Sequence, residues 1–271
     1  ASSIGMIIGQ VLFNSLSNRY LGNIGLKPAR AEDKEAKRKA DQKQTLTKKE
    51  KKRTLAIMIL ACFVVFFWAG FEQAGSSFTL YTKNFVDREV FGYLVPVSWF
   101  QSLNPLFIII LAPIISALWI KLSKTKNGDL KTTTKMGLGM ILLGLGFMIL
   151  IPAVLHTGSN EENIIAKAHI AFIIFTYLFH TLGELCLSPV GLSLVSKVAP
   201  LKIASLLMGV WMSAIGVANL IAGQLAALTA SLGYMEIFIA IGGLAILLGI
   251  ILLFVSGKLT SMMSEYDEVK E

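Results

Sequence analysis

Apolar residues in this chain come in long unbroken runs rather than in short alternating or one-faced stretches. Six of these runs, at 55–80, 94–122, 133–155, 166–195, 203–230 and 237–257, are each long enough to span a bilayer. About 20 apolar residues rising 1.5 Å each cross the roughly 30 Å of hydrocarbon. Barrel strands would alternate polar and apolar at every second position, and these runs do not, so helices are the only spanning structure open to them. The pattern predicts an all-α integral membrane protein built on a six-transmembrane-helix bundle at 55–257.

A shorter apolar run at 4–16 opens the chain, with no initiator Met, basic leader or cleavage site before or after it. It reads as the last turns of a truncated transmembrane helix at 1–18 rather than as a signal peptide. A basic linker at 19–54 follows, and a tail at 258–271 closes the chain.

Charge fixes an orientation. The net charge is +8, and the stretch 27–53 alone holds 12 Lys/Arg against 5 Asp/Glu. No aromatic residue interleaves these cations, so a platform for stacking bases is absent and nucleic acid is not an expected partner. A basic loop beside a span marks the cytoplasmic side. With the linker inside, cytoplasmic segments hold 22 Lys/Arg and external ones hold 3. Linker and C-terminus are therefore expected in the cytoplasm of a multi-pass cell-membrane protein, with membrane lipids, including anionic headgroups, as neighbours.

Composition agrees, at 54% hydrophobic residues and a mean hydropathy of +0.66. Cys62 and Cys186 both fall in apolar runs, and His156, His169 and His180 show no ligand spacing, so neither a disulfide framework nor a metal site is expected. There is no HExxH, no phosphate-cradling glycine loop and no serine with a paired base. Ser193 and Lys197 are four apart, not the three of SxxK, so no enzyme is expected.

Two carboxylates interrupt the apolar runs. Glu72 lies in FFWAGFEQAGSSFTLY and Glu184 in HTLGELCLSPVGLSLVSKVAP, while no Lys or Arg falls within the six cores, Lys121, Lys135 and Lys167 standing at the ends of their runs. An ionised acid at mid-membrane costs roughly 2.5–3.5 kcal/mol on insertion scales. Such acids must be protonated, line water, or pair with charges from elsewhere. Thr176, His180, Glu184 and Ser188 recur every fourth residue, and Trp68, Glu72, Ser76 and Thr79 form a comparable stripe. Polar faces on two helices predict the walls of a wet cavity, with His180 a hydrogen-bonding neighbour of Glu184. Pro189 removes a backbone donor beside this stripe. From the residues alone, the reading is a transporter or channel with protonatable cavity acids.

Gly209, Gly216 and Gly223 recur every seven residues, and Gly137, Gly139, Gly144 and Gly146 cluster in the third run. Both sets predict close helix–helix packing.

The stretches FFWAGFEQAGSS, WFQSLNPLFIIILAPIISALW and GELCLSPVGLSLVSKVAP resemble the proton-dependent oligopeptide transporter family of the major facilitator superfamily. The resemblance runs from SSIGM to about Gly257. It implies the C-terminal half of such a transporter, rocking against an N-terminal half around a midplane site. The family's first-helix glutamate–arginine–tyrosine motif is absent from this chain, and the linker is too charged for the extra helix pair of many bacterial relatives.

By that resemblance Glu72 is the proton-coupling residue, and Trp68, Asn104, Glu184, Ser188 and Trp211 line the peptide site. Glu184 would receive the peptide's amino terminus or a lysine of the other half. The implied substrate is a di- or tripeptide, the implied partner is the N-terminal half, and the proton is the coupling ion with no other cofactor. Alternatives are another small solute such as nitrate, or a non-transporting fragment that serves only as a membrane assembly partner.

Overall fold

Thr47 starts the first long helix. Its hydroxyl accepts from the Glu50 backbone N–H at 3.2 Å, and the Glu50 carboxylate accepts from the Thr47 N–H at 2.7 Å. This reciprocal cap satisfies two of the donors that a helix start leaves without partners. Helix α1 then runs Lys48–Phe71, beginning inside the segment read as linker. The structure is a computed structural model and describes residues 10–11, 45–125, 128–159 and 164–264. The chain divides into two units, 1–45 and 46–271. Of the first, Gln10 and Val11 are helical; the remainder of the expected helix end at 1–18, nearly all of the linker, and 265–271 lie outside the described residues.

Beyond α1 come a 3-10 turn, Glu72–Gly75, and α2, Ser77–Phe85. The chain continues through α3, Ser98–Gln101, α4, Leu103–Ser123, and α5, Thr132–Thr157. The last three helices are α6, Ala171–Val198, α7, Ala204–Leu232, and α8, Tyr234–Ser264. Taken with α2 and α3 as extensions of their neighbours, the described residues give six spans long and apolar enough to cross a membrane. These are the six runs anticipated from sequence. The fourth starts at Ala171 rather than 166 because Ala168–His169 pairs in parallel with Val86–Asp87 as a two-residue ladder. A hairpin, Glu89–Val90 with Tyr93–Leu94, lies in the α2–α3 connection.

The bundle is built around α5, which packs between α6 and α8. Glycine makes that closeness possible. A Cβ at Gly139 would stand 2.7 Å from the carbonyl oxygen of Gly183 on α6, and one at Gly144 would stand 2.6 Å from that of Gly242 on α8. No side chain fits there, so backbones touch directly, as expected of the third run. The stripe on α7 behaves differently. Nothing lies within 4 Å of a Cβ built at Gly209, Gly216 or Gly223, so the close packing expected of them does not occur among the described residues. Periodicity aligned them on one face, but that face points out of the bundle. The opposite face, with Leu207, Trp211, Ala214, Ala218 and Ala222 buried, is the one that packs against α1.

Aromatic rings fill the core between α2, α5, α6 and α8. Phe78 meets Phe147, Phe238 and Tyr177 with centroids 5.3, 5.4 and 6.2 Å away. Helix α4 is the outlier, with no buried residue along its length. It is attached near its start through Asn104 and near its end through Trp119, over which the Lys135 ammonium sits at 4.6 Å.

Candidate functional site

The α1–α2 break carries Glu72. Four polar residues, Gln73, Ser76, Ser77 and Thr79, follow in seven positions, and their side chains compete with the helix for its own backbone groups. Gln73 Nε2 donates to the Ala69 carbonyl at 3.1 Å, and Ser76 Oγ donates to that of Glu72 at 3.4 Å. Ser76 leaves the helical basin altogether, at φ −125° and ψ −94°. Glu72 thus opens a turn between two helices rather than sitting on a continuous span, and Ser76 and Thr79 do not extend a regular stripe from it.

Across from the break, Asn104 on α4 donates Nδ2 to Glu184 Oε2 at 2.7 Å and to Thr181 Oγ1 at 3.2 Å. The Thr181 hydroxyl in turn donates to the Tyr177 carbonyl at 2.8 Å. Glu184 and Glu72 are both half-buried, and their charges lie within electrostatic reach of each other. The ion pairs among the described residues are Lys135–Asp129 and Lys202–Glu50, and neither intramembrane carboxylate joins one. Asn104 of α4 and Glu184 of α6 thus meet by a hydrogen bond, with Glu72 of the α1–α2 turn within electrostatic reach of Glu184. Two acids and an amide there can bind a cationic group and accept or release a proton.

The remaining expected residues surround that trio unevenly. Trp68 is half-buried one turn before Glu72, its ring edge-on to Phe67 at 5.6 Å and to Phe71 at 5.2 Å. Ser188 is half-buried one turn after Glu184. Trp211 is only 3% exposed and packs on α6, where a Cβ at Gly191 would come 2.6 Å from its Cζ2. That ring joins α7 to α6.

The α6 stripe splits in two. Thr176 donates to the Gly146 and Phe172 carbonyls, at 3.1 and 2.8 Å. His180 is enclosed by Phe147, Phe78 and Phe71, with centroids 4.9, 5.3 and 6.3 Å away, and neither of its nitrogens finds a partner of good geometry. It does not hydrogen-bond Glu184 as the spacing predicts, because the missing side chain of Gly146 lets the imidazole sink against α5. Of the stripe, Glu184 is the residue that hydrogen-bonds Asn104.

Two residues near the trio escaped sequence reasoning. Thr181 holds Asn104, and Gln73 is wholly buried beside Glu72. The signal for Gln73 was available: a neutral amide deep in an apolar run needs partners as much as a charge does.

Comparison with known proteins fits this geometry. The model of the POT family (PTR2) matches residues 6–238. The peptide transporter YePEPT of Yersinia enterocolitica is 38% identical over 178 residues, which are 66% of this chain and 34% of that protein. An uncharacterised transporter of Bacillus subtilis, YclF, is 37% identical over 77% of this chain and 41% of its own length. A di-/tripeptide transporter of Lactococcus lactis is 30% identical, over 80% and 43% respectively. The chain thus spans less than half the length of these curated relatives. Among solved structures, a mutant of a peptide transporter POT bound to alafosfalin superposes with a TM-score of 0.77 at 28% identity. That match covers 96% of this chain and 60% of the other. A POT family transporter bound to 5-aminolevulinic acid gives 0.71 at 27%, over 96% and 54%. The six-span bundle is therefore that of a major facilitator superfamily transporter, a multi-pass membrane protein, and the chain belongs to the POT family.

Proposed function

We propose that this chain is the C-terminal half of a proton-coupled symporter of di- and tripeptides, working by alternating access with an N-terminal half. The observation that carries this reading is the Asn104–Glu184 hydrogen bond with Glu72 in electrostatic reach, neither acid having an ion-pair partner among the described residues. Glu184, oriented by Asn104, receives the peptide's ammonium or a cation of the other half. Glu72 takes up and gives back the coupling proton, so no further cofactor is required. Trp68, Ser188 and Trp211 complete the proposed peptide site. The linker and C-terminus lie in the cytoplasm.

Names of relatives support the substrate class. One is a peptide transporter, another a di-/tripeptide transporter, and solved relatives hold alafosfalin or 5-aminolevulinic acid. Each of those two ligands carries an amine at one end and an anionic group at the other, as a dipeptide does. An acid and an amide fixed in space bind such shared groups while leaving side chains free to vary.

The test is accumulation of labelled dipeptide by proteoliposomes containing both halves under an imposed proton gradient. Glu72→Gln is expected to abolish gradient-driven accumulation, and Glu184→Gln to weaken dipeptide binding. Accumulation at the unmodified rate by both variants would remove the reading.

A further inference from the structure

Gln73 is completely buried at the one break in the first span. Every polar atom of its side chain is used. Nε2 donates to the Ala69 carbonyl in the last turn of α1 and to the Ala222 carbonyl of α7, both at 3.1 Å. Oε1 accepts from the hydroxyl of Ser77, the first residue of α2, at 2.8 Å. One amide thus joins the helix before the break, the helix after it, and a third helix alongside. A second tie comes from α6, whose Tyr177 hydroxyl donates to the Ala74 carbonyl at 3.3 Å. The 3-10 turn is therefore held from both sides, by α7 and by α6.

We propose that Gln73 is a positioning residue, whose amide locks the α1–α2 break to α7 and so keeps Glu72 opposite Glu184. Glu72 is the first residue of the turn and, among the described residues, has no side-chain hydrogen bond to α6 or α7, so its place follows from that of the turn. Two of the turn's four residues, Ala74 and Gly75, are small and Ser76 follows, so side-chain bulk does little to fix its direction. The buried amide supplies direction where packing does not, because leaving its partners unmet in an apolar core is costly. The titratable groups brought to this place by α6 are Tyr177, His180 and Glu184; α7 has none in its sequence.

The inference rests on the proposed coupling role of Glu72 for its transport consequences, but not for its structural ones, and two measurements separate them. The first is amide hydrogen exchange in the reconstituted protein. Gln73→Leu is expected to speed exchange at 72–77 at least about tenfold, with α5 unchanged, since the freed turn opens locally. The second is proton-driven dipeptide uptake as a function of pH. Gln73→Leu is expected to lower the maximal rate by about tenfold or more with KM within about twofold, and to move the pH midpoint, as loss of a transition-step arrangement rather than of binding does. Ser77→Ala, which removes one of the three bonds, should show the same signs at smaller size, and decides the matter if Gln73→Leu does not fold. Unaltered exchange at 72–77, or an unaltered pH profile and rate where Glu72→Gln has abolished coupling, overturns the proposal. If Glu72→Gln still couples, the coupling reading fails while the exchange result continues to judge Gln73.

Discussion

Asn104 on α4 reaches Glu184 on α6 at 2.7 Å, the shortest polar contact between any two of the residues expected to bind substrate. It is also one of the few polar ties holding an otherwise exposed helix to the bundle. A hydrogen bond to a charged group contributes about 1.5–3 kcal/mol, and each 1.4 kcal/mol is a factor of about ten.

Asn104→Ala should therefore raise the dipeptide KM by roughly tenfold or more. The carboxylate loses the donor that aims it, while Glu72 in the α1–α2 turn, the proposed coupling acid, is untouched. Gradient-driven accumulation at saturating dipeptide should survive. Competition binding and uptake at two substrate concentrations distinguish this from loss of coupling, which would lower accumulation at every concentration.

Glycines give a contrast that composition alone does not. Gly144→Ala puts a methyl 2.6 Å from the Gly242 carbonyl oxygen, whereas Gly216→Ala meets open space. The first should cost about 1–3 kcal/mol as overpacking, and the second should stay within about 0.5 kcal/mol. Thermal unfolding in detergent micelles measures both. Equal melting temperatures would mean that α5 and α8 can separate freely.

What the sequence revealed and what it hid follow from the same two glycine sets. An apolar run of span length has one outcome in a membrane, so all six helices were legible, and so was the cost of acids at Glu72 and Glu184. Helical period also grouped Gly209, Gly216 and Gly223 correctly on one face. It could not say which face of α7 turns toward α1, since both are apolar and lipid is as greasy as a neighbouring helix. The break at Glu72 was hidden for a related reason. No proline or positive-φ glycine marks it; side-chain amides and hydroxyls make it, through bonds to α6 and α7 that exist only in the folded bundle.

His180 was placed on the wet stripe by spacing, yet it sits among three rings with both nitrogens unmatched. A buried imidazole whose one approach, to the Leu143 carbonyl, falls short of good hydrogen-bond geometry loses hydration and gains little in return. His180→Leu, similar in volume, should leave stability unchanged or raise it by about 1 kcal/mol, and should leave the pH profile of uptake where it was. A displaced profile would show that this ring exchanges protons with the site.

Lys135 and Asp129 form an ion pair of unequal partners. The lysine side chain is 9% exposed and the aspartate 43%, the two meet at 2.6 Å, and the ammonium also lies over Trp119 at the end of α4. Removing the cation leaves a carboxylate that water can reach, so Lys135→Met should change stability by no more than about 1 kcal/mol while its thioether still covers the indole. Removing the anion leaves an ammonium with little water and only a ring beneath it. Asp129→Asn should therefore cost about 1–3 kcal/mol, more than the lysine variant. The double variant should recover most of that loss, since no buried charge is then left alone. Thermal melts of the three proteins give the order directly; equal losses in both single variants would mean that water already surrounds the lysine, and that α4 is not held to α5 through it.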